Sequence, residues 1–121
     1  MSMNKVLLLL ISCLIAGPAW AHPPEIKDVR IKKTGMVWRV DVTLEHGDTG
    51  WDHYADGWEV LDARGNRLAH RELLHPHVNE QPFTRALSGV VFPDGTREVF
   101  VRAKCSVDGW SGQSRKVKLK P

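Results

Sequence analysis

Beyond residue 21 the chain alternates apolar and polar positions in short runs, with almost no stretch of helical period. The run over 36–46 is the clearest. Trp38, Val40, Val42 and Leu44 fall on one face, and Arg39, Asp41, Thr43 and Glu45 on the other, as side chains of an extended strand do. Similar runs cover 26–33, 54–61, 67–74, 82–92, 97–105 and 113–119. Between them stand turn and loop signals: Thr34-Gly35, 47–52, Asp62-Ala63-Arg64-Gly65-Asn66, Pro93-Asp94-Gly95 and 106–112. Seven short strands in about 100 residues predict an all-β fold, a seven-stranded immunoglobulin/fibronectin III-like β-sandwich. Trp58 is the candidate for the buried tryptophan of the third strand. The tyrosine corner and paired cysteines of antibody domains are missing, so the expectation concerns architecture only.

The first 21 residues have a different pattern. Lys5 precedes an apolar stretch, Val6 to Ile11 and Leu14 to Ala16, which Gly17 and Pro18 break. That stretch is too short to span a membrane, and Ala19-Trp20-Ala21 offers the small residues of a signal-peptidase site. The expectation is a cleaved signal peptide over 1–21, a periplasmic domain over 22–121 and a mature chain starting at His22. A rival lies in Leu10-Ile11-Ser12-Cys13, whose lipoprotein-box look would put a lipid on Cys13. No later apolar run is long enough for a membrane span.

Charge narrows the partners. The 17 basic residues stand against 14 acidic ones, and the leader carries one of the basic residues. So mild a balance argues against nucleic acid as the main partner. At the C-terminal end Lys116, Lys118 and Lys120 alternate with Val117 and Leu119, the pattern of a lysine-guarded edge strand. Of the two cysteines only Cys105 lies beyond the leader, so no internal disulfide can form. Cys105 continues the apolar face of Val99, Val101 and Ala103, which reads as a buried, inert thiol.

All six histidines lie in the expected mature chain. In an up-and-down run of hairpins alternate loops share one end of the sandwich. That logic gathers His22, His46, His53, His75 and His77 at one pole, with Asp48, Asp52, Glu80, Cys105, Asp108 and Trp110. His70 stays mid-strand. Several imidazoles at one place favour a metal, copper first and zinc as the alternative. His75 and His77 project from the same face of an extended segment, and Pro76 favours that extension. The expected ligands are His22, His75, His77, His53 and His46, with Asp52 and Glu80 as carboxylates placed to orient them. Cleavage before His22 would leave a free amine beside its own ring. This arrangement resembles the histidine brace of periplasmic copper-resistance C carriers and of lytic polysaccharide monooxygenases. The resemblance implies a sandwich with a copper site at its N-terminal residue. Pro23 leaves the brace possible, since the brace does not use that backbone nitrogen.

The leading expectation is therefore a periplasmic copper carrier or buffer, exchanging its ion with another metal-handling protein. The alternative is a metal-free module in which Trp51, Tyr54 and Trp110 grip a peptide or glycan. No nucleophile-elbow pattern accompanies Ser106, Ser111 or Asp108, so no enzyme is expected. The segments 49–58 and 73–85 resemble a group of small exported bacterial proteins to which no activity is attached.

Overall fold

The computed structural model describes residues 23–120. The signal peptide, Cys13 and His22 lie outside them. No helix occurs among the described residues, and none is therefore long and apolar enough to cross a membrane. The strands are β1 (Glu25–Thr34), β2 (Val37–Glu45), β3 (Ala55–Leu61), β4 (Arg67–Glu72), β5 (Phe83–Val90), β6 (Glu98–Cys105), β7 (Gly109–Trp110) and β8 (Arg115–Lys118). They form two antiparallel sheets. One has the order β1-β2-β5; the other has β4-β3-β6, with β7 and β8 both against the far edge of β6.

The alternation seen in the sequence is what fills the space between them. Trp38, Val40, Val42 and Leu44 of β2 meet Trp58 and Val60 of β3 and Val99, Val101 and Ala103 of β6 in one buried cluster. Each fully buried aliphatic or aromatic side chain there contributes about 1.5–3 kcal/mol of transfer free energy. Trp58 is wholly buried on β3, as the strand pattern led one to expect. The outer faces are polar: Thr43 and Thr84 share a 2.7 Å hydrogen bond across β2 and β5.

Two expectations change. The expected seven strands are eight, because β7 forms inside the segment read as a loop over 106–112. Its partner is the end of β6, with Cys105 opposite Gly109. Gly109 takes a φ of 76°, the left-handed conformation that closes a short hairpin loop. The strands also do not follow one another as hairpins throughout. Only β1–β2, β3–β4 and β6–β7 do; the chain crosses between sheets after β2, after β4 and after β5. The free edge of β2 is taken by β5, with Leu44 opposite Phe83, and not by β3. Shorter corrections have local causes. β4 ends at Glu72 because Leu73 turns inward, donating its N–H to the carbonyl of Asp56. β5 starts at Phe83 because Pro82 has no N–H for the ladder.

Paired strands remain antiparallel, so the shared-pole logic survives the crossings. The end of β2, the start of β3, the loop before β5 and the end of β6 meet at one pole. Glu25 pairs with Glu45, so β1 also enters at that pole.

Candidate metal centre

His46 is the first residue after β2 and keeps the inward parity of Leu44, so its ring is buried, 5% exposed. Its main-chain N–H donates to Gln81 Oε1 at 3.0 Å. Its ring Nδ1 lies 2.6 Å from Asp48 Oδ1. An ionised carboxylate only accepts, so Nδ1 carries a proton. In the neutral ring, Nε2 then holds the lone pair. That Nε2 is buried and, among the described residues, has no hydrogen-bond partner. Leaving such an atom unsatisfied costs about 1–3 kcal/mol.

Asp48 is itself fixed. Besides His46, its carboxylate accepts from Ala55 N–H at 3.0 Å and from His77 N–H at 2.8 Å. One buried carboxylate therefore ties the 46–54 loop, the start of β3 and the segment before β5.

His53 stands across from His46, with ring centroids 4.9 Å apart at an interplanar angle of 70°. A tight loop holds it: Thr49 N–H donates to His53 O and His53 N–H to Gly50 O. Its Nε2 is 3.5 Å from Cys105 Sγ. Cys105 ends β6 with its side chain turned into the pole, and Sγ accepts from Asp108 N–H at 3.3 Å. Ser106 and Tyr54 exchange hydrogen bonds, locking the end of β6 to the His53 loop. Each of His46, His53 and Cys105 offers a ligand atom, and these atoms lie within 4.8 Å of one another. Two imidazoles and a thiolate suit copper or zinc.

The other expected ligands have different surroundings. His77 is buried, its ring stacked on Phe83 with centroids 3.8 Å apart. Its Nε2 lies 2.8 Å from Arg85 Nη2. A guanidinium only donates, so the Nε2 lone pair is engaged and the neutral ring carries its proton on Nδ1. Burial, the Arg85 charge and then His75 hold this imidazole below its ordinary value of 6.5. His75 is exposed, its ring 4.4 Å from that of His77, and its Nδ1 pairs with Pro76 O at 3.0 Å. Asp52 is exposed, and Glu80 lies 3.7 Å from Arg85. The carboxylate that orients a ring is Asp48, two residues after His46. His70 is exposed on β4, beside Trp110.

Trp110 is not at the pole. It lies over the outer face of the second sheet, among Arg67, Arg102 and Lys104, all within 5.6 Å of its ring. Arg67 and Arg102 meet there on buried Glu59. Only Trp51 and Tyr54 of the expected aromatic trio are neighbours, with centroids 5.6 Å apart.

Sequence reading placed Asp48, Cys105 and Asp108 at this pole without giving them the site. The signal for Cys105 was available: it is the last inward position of β6 and so faces the loops.

No protein-family model matches the chain. Over 90 residues it is 41% identical to a protein of Halomicrobium mukohataei named "Putative lipoprotein"; the match takes in 74% of this chain and 44% of that one. The chain thus spans less than half the length of that relative. Two solved structures resemble it. A hypothetical protein from Pyrococcus horikoshii OT3 has a TM-score of 0.52 at 16% identity, over 82% of this chain and 88% of the other. A superoxide reductase from Nanoarchaeum equitans has a TM-score of 0.50 at 14% identity, over 81% of this chain and 92% of the other. At these identities the likeness is one of fold.

Proposed function

We propose that this is an exported metal-binding protein, a carrier or buffer, whose ion is held by His46, His53 and Cys105. The observation that carries the reading is the buried, unpartnered Nε2 of His46, aimed by Asp48 and grouped with an imidazole and a thiol. Carboxylate–histidine–metal relays have this form, the carboxylate fixing tautomer and ring direction. Copper is the ion we assign first, since two imidazoles and one thiolate make the donor set of electron-transfer copper sites; zinc is the alternative. Bonds of about 2.0–2.3 Å to the ion would draw the ligand atoms together by roughly an ångström. His53, on a loop and half-buried, is the member placed to move.

Export is supported by the leader pattern and by the relative's name as a lipoprotein. In sheet order, β1-β2-β5 facing β4-β3-β6-β8 also supports the immunoglobulin/fibronectin III-like reading. The brace at His22 is a separate proposal, tested by adding one residue ahead of His22 and measuring copper binding.

Melting of the protein with and without zinc or copper tests the central reading. An ion at 100 times its Kd stabilises by about 2.7 kcal/mol, and about 1 kcal/mol moves Tm by roughly 4–8 °C in a domain this size. A rise of roughly 10–20 °C is expected, abolished by Cys105→Ser; no rise would refute the reading. Because the ligands must be unprotonated, affinity should fall as pH drops through the imidazole range. We further propose that the protein is not an enzyme. The similar fold named as a superoxide reductase makes superoxide decay the apt assay, and the copper-loaded protein should leave its rate unchanged.

A further inference from the structure

We infer that Asp108 is the fourth ligand of this centre, an anionic one, and that the site is thereby matched to a divalent cation. The inference rests on the metal reading given above.

The turn Cys105-Ser106-Val107-Asp108 closes through the pairing of Cys105 with Gly109. It folds Asp108 back on Cys105 twice over. The main-chain N–H of Asp108 donates to Sγ at 3.3 Å, and the thiol in turn donates to Oδ2 at 3.6 Å. The hairpin thus presents a thiol and a carboxylate side by side, with the sulfur 3.5 Å from His53 Nε2; the carboxylate lies outside the 4.8 Å group of the other three ligand atoms and would close on the ion as it binds.

The remaining carboxylates of the pole are engaged or turned away. Asp48 is used by three hydrogen bonds, and Asp52 is exposed. Glu45 pairs with Lys27 and Glu80 with Arg85. Among the described residues, no lysine or arginine forms an ion pair with Asp108.

Charge then selects the ion. Two neutral imidazoles, a thiolate and a carboxylate carry two negative charges, which a dication cancels. A monovalent ion would leave a net charge beside His46 and Cys105, both buried, where uncompensated charge is costly. The oxygen donor points the same way, since a carboxylate suits zinc(II) or copper(II) better than soft copper(I). Exposure adds a direction. His46 and Cys105 form the closed side, while exposed Asp108 and half-buried His53 form the side from which an ion arrives.

The test compares zinc(II) and copper(I) affinities for the protein, for Asp108→Asn and for Asp108→Ser, with cobalt(II) spectra reporting coordination. Asp108 is exposed, and both substitutions keep a turn-forming polar residue, so melting of the metal-free forms should change little. Zinc(II) affinity is expected to fall roughly tenfold or more in both variants. Copper(I) affinity should stay within about twofold, and the cobalt(II) spectrum should change. Unchanged zinc(II) affinity in both variants would overturn the fourth-ligand assignment. Equal losses for zinc(II) and copper(I) would overturn the charge matching. If the unsubstituted protein took up none of the three ions, the metal reading itself would fall, and this inference with it.

Discussion

Two buried histidines at the same pole, His46 and His77, are used in opposite ways. Each has one ring nitrogen engaged by a charged side chain and one buried nitrogen with no partner among the described residues. For His46 the engaged partner is a carboxylate, which takes the proton side of the ring and leaves the lone pair for a cation. For His77 it is a guanidinium, which takes the lone pair and leaves an N–H. On the proposed reading the first ring is prepared to bind a metal; the second packs against Phe83 and accepts from Arg85. Residue type alone does not choose a ligand; the charge on its neighbour does.

The largest expected effect separates the two rings directly. His46→Ala and Cys105→Ser should each cost about 100-fold or more in zinc affinity and remove the metal-dependent rise in Tm, because each deletes a donor atom. His77→Gln should leave affinity within about threefold, since its links to the centre, through Asp48 and Gln81, are made by its main chain. Isothermal titration reads both.

A smaller effect comes from Asp48. Asp48→Asn should lower zinc affinity by about 10- to 100-fold, as loss of an orienting carboxylate does. It should also lower the stability of the metal-free protein by about 1–3 kcal/mol, because three N–H groups lose a charged acceptor. Denaturant unfolding of both metal-free proteins checks the second part.

The smallest is a pH effect confined to His77. Its imidazole is held below 6.5 in the folded protein. On acidification from neutral pH the unfolded chain therefore takes up the proton first. Stability present above pH 6.5 declines as pH falls from there to the folded value, and then levels. The metal-free protein should lose stability over that window, and His77→Gln should flatten the loss in urea unfolding measured across pH.

Much of the fold was legible. Period-two alternation in β2 and β6 identified the core residues, because a strand buried on one face must write that pattern. Antiparallel alternation is enough to gather His46, His53, His75 and His77 at one pole. What alternation does not encode is which strand a given edge will meet. Hence the crossings after β2, β4 and β5 were read as hairpins, and Trp110 was placed among the loops when it lies on a sheet face. The two-residue β7 is too short for any periodic signal. The site was legible as a location but less so as a ligand set. Asp48 takes an N–H from His77, 29 positions along the chain, and Arg85 lies eight from His77, so neither contact follows from local spacing. Cys105 was read as inert because burial alone was visible; its contacts with His53 and Asp108 depend on two loops meeting.

On the proposed reading His46, His53 and Cys105 hold an ion while His75 and His77 do not. Zinc is the ion for the decisive titration, because it is redox-silent and leaves the thiol intact. The unsubstituted protein, Cys105→Ser and the double variant His75→Ala/His77→Gln should be titrated side by side by calorimetry. One tight site is expected in the first and third proteins and at least about a 100-fold loss in the second. Equal binding by the first two with loss in the third would place the ion at His75 and His77 and contradict the account.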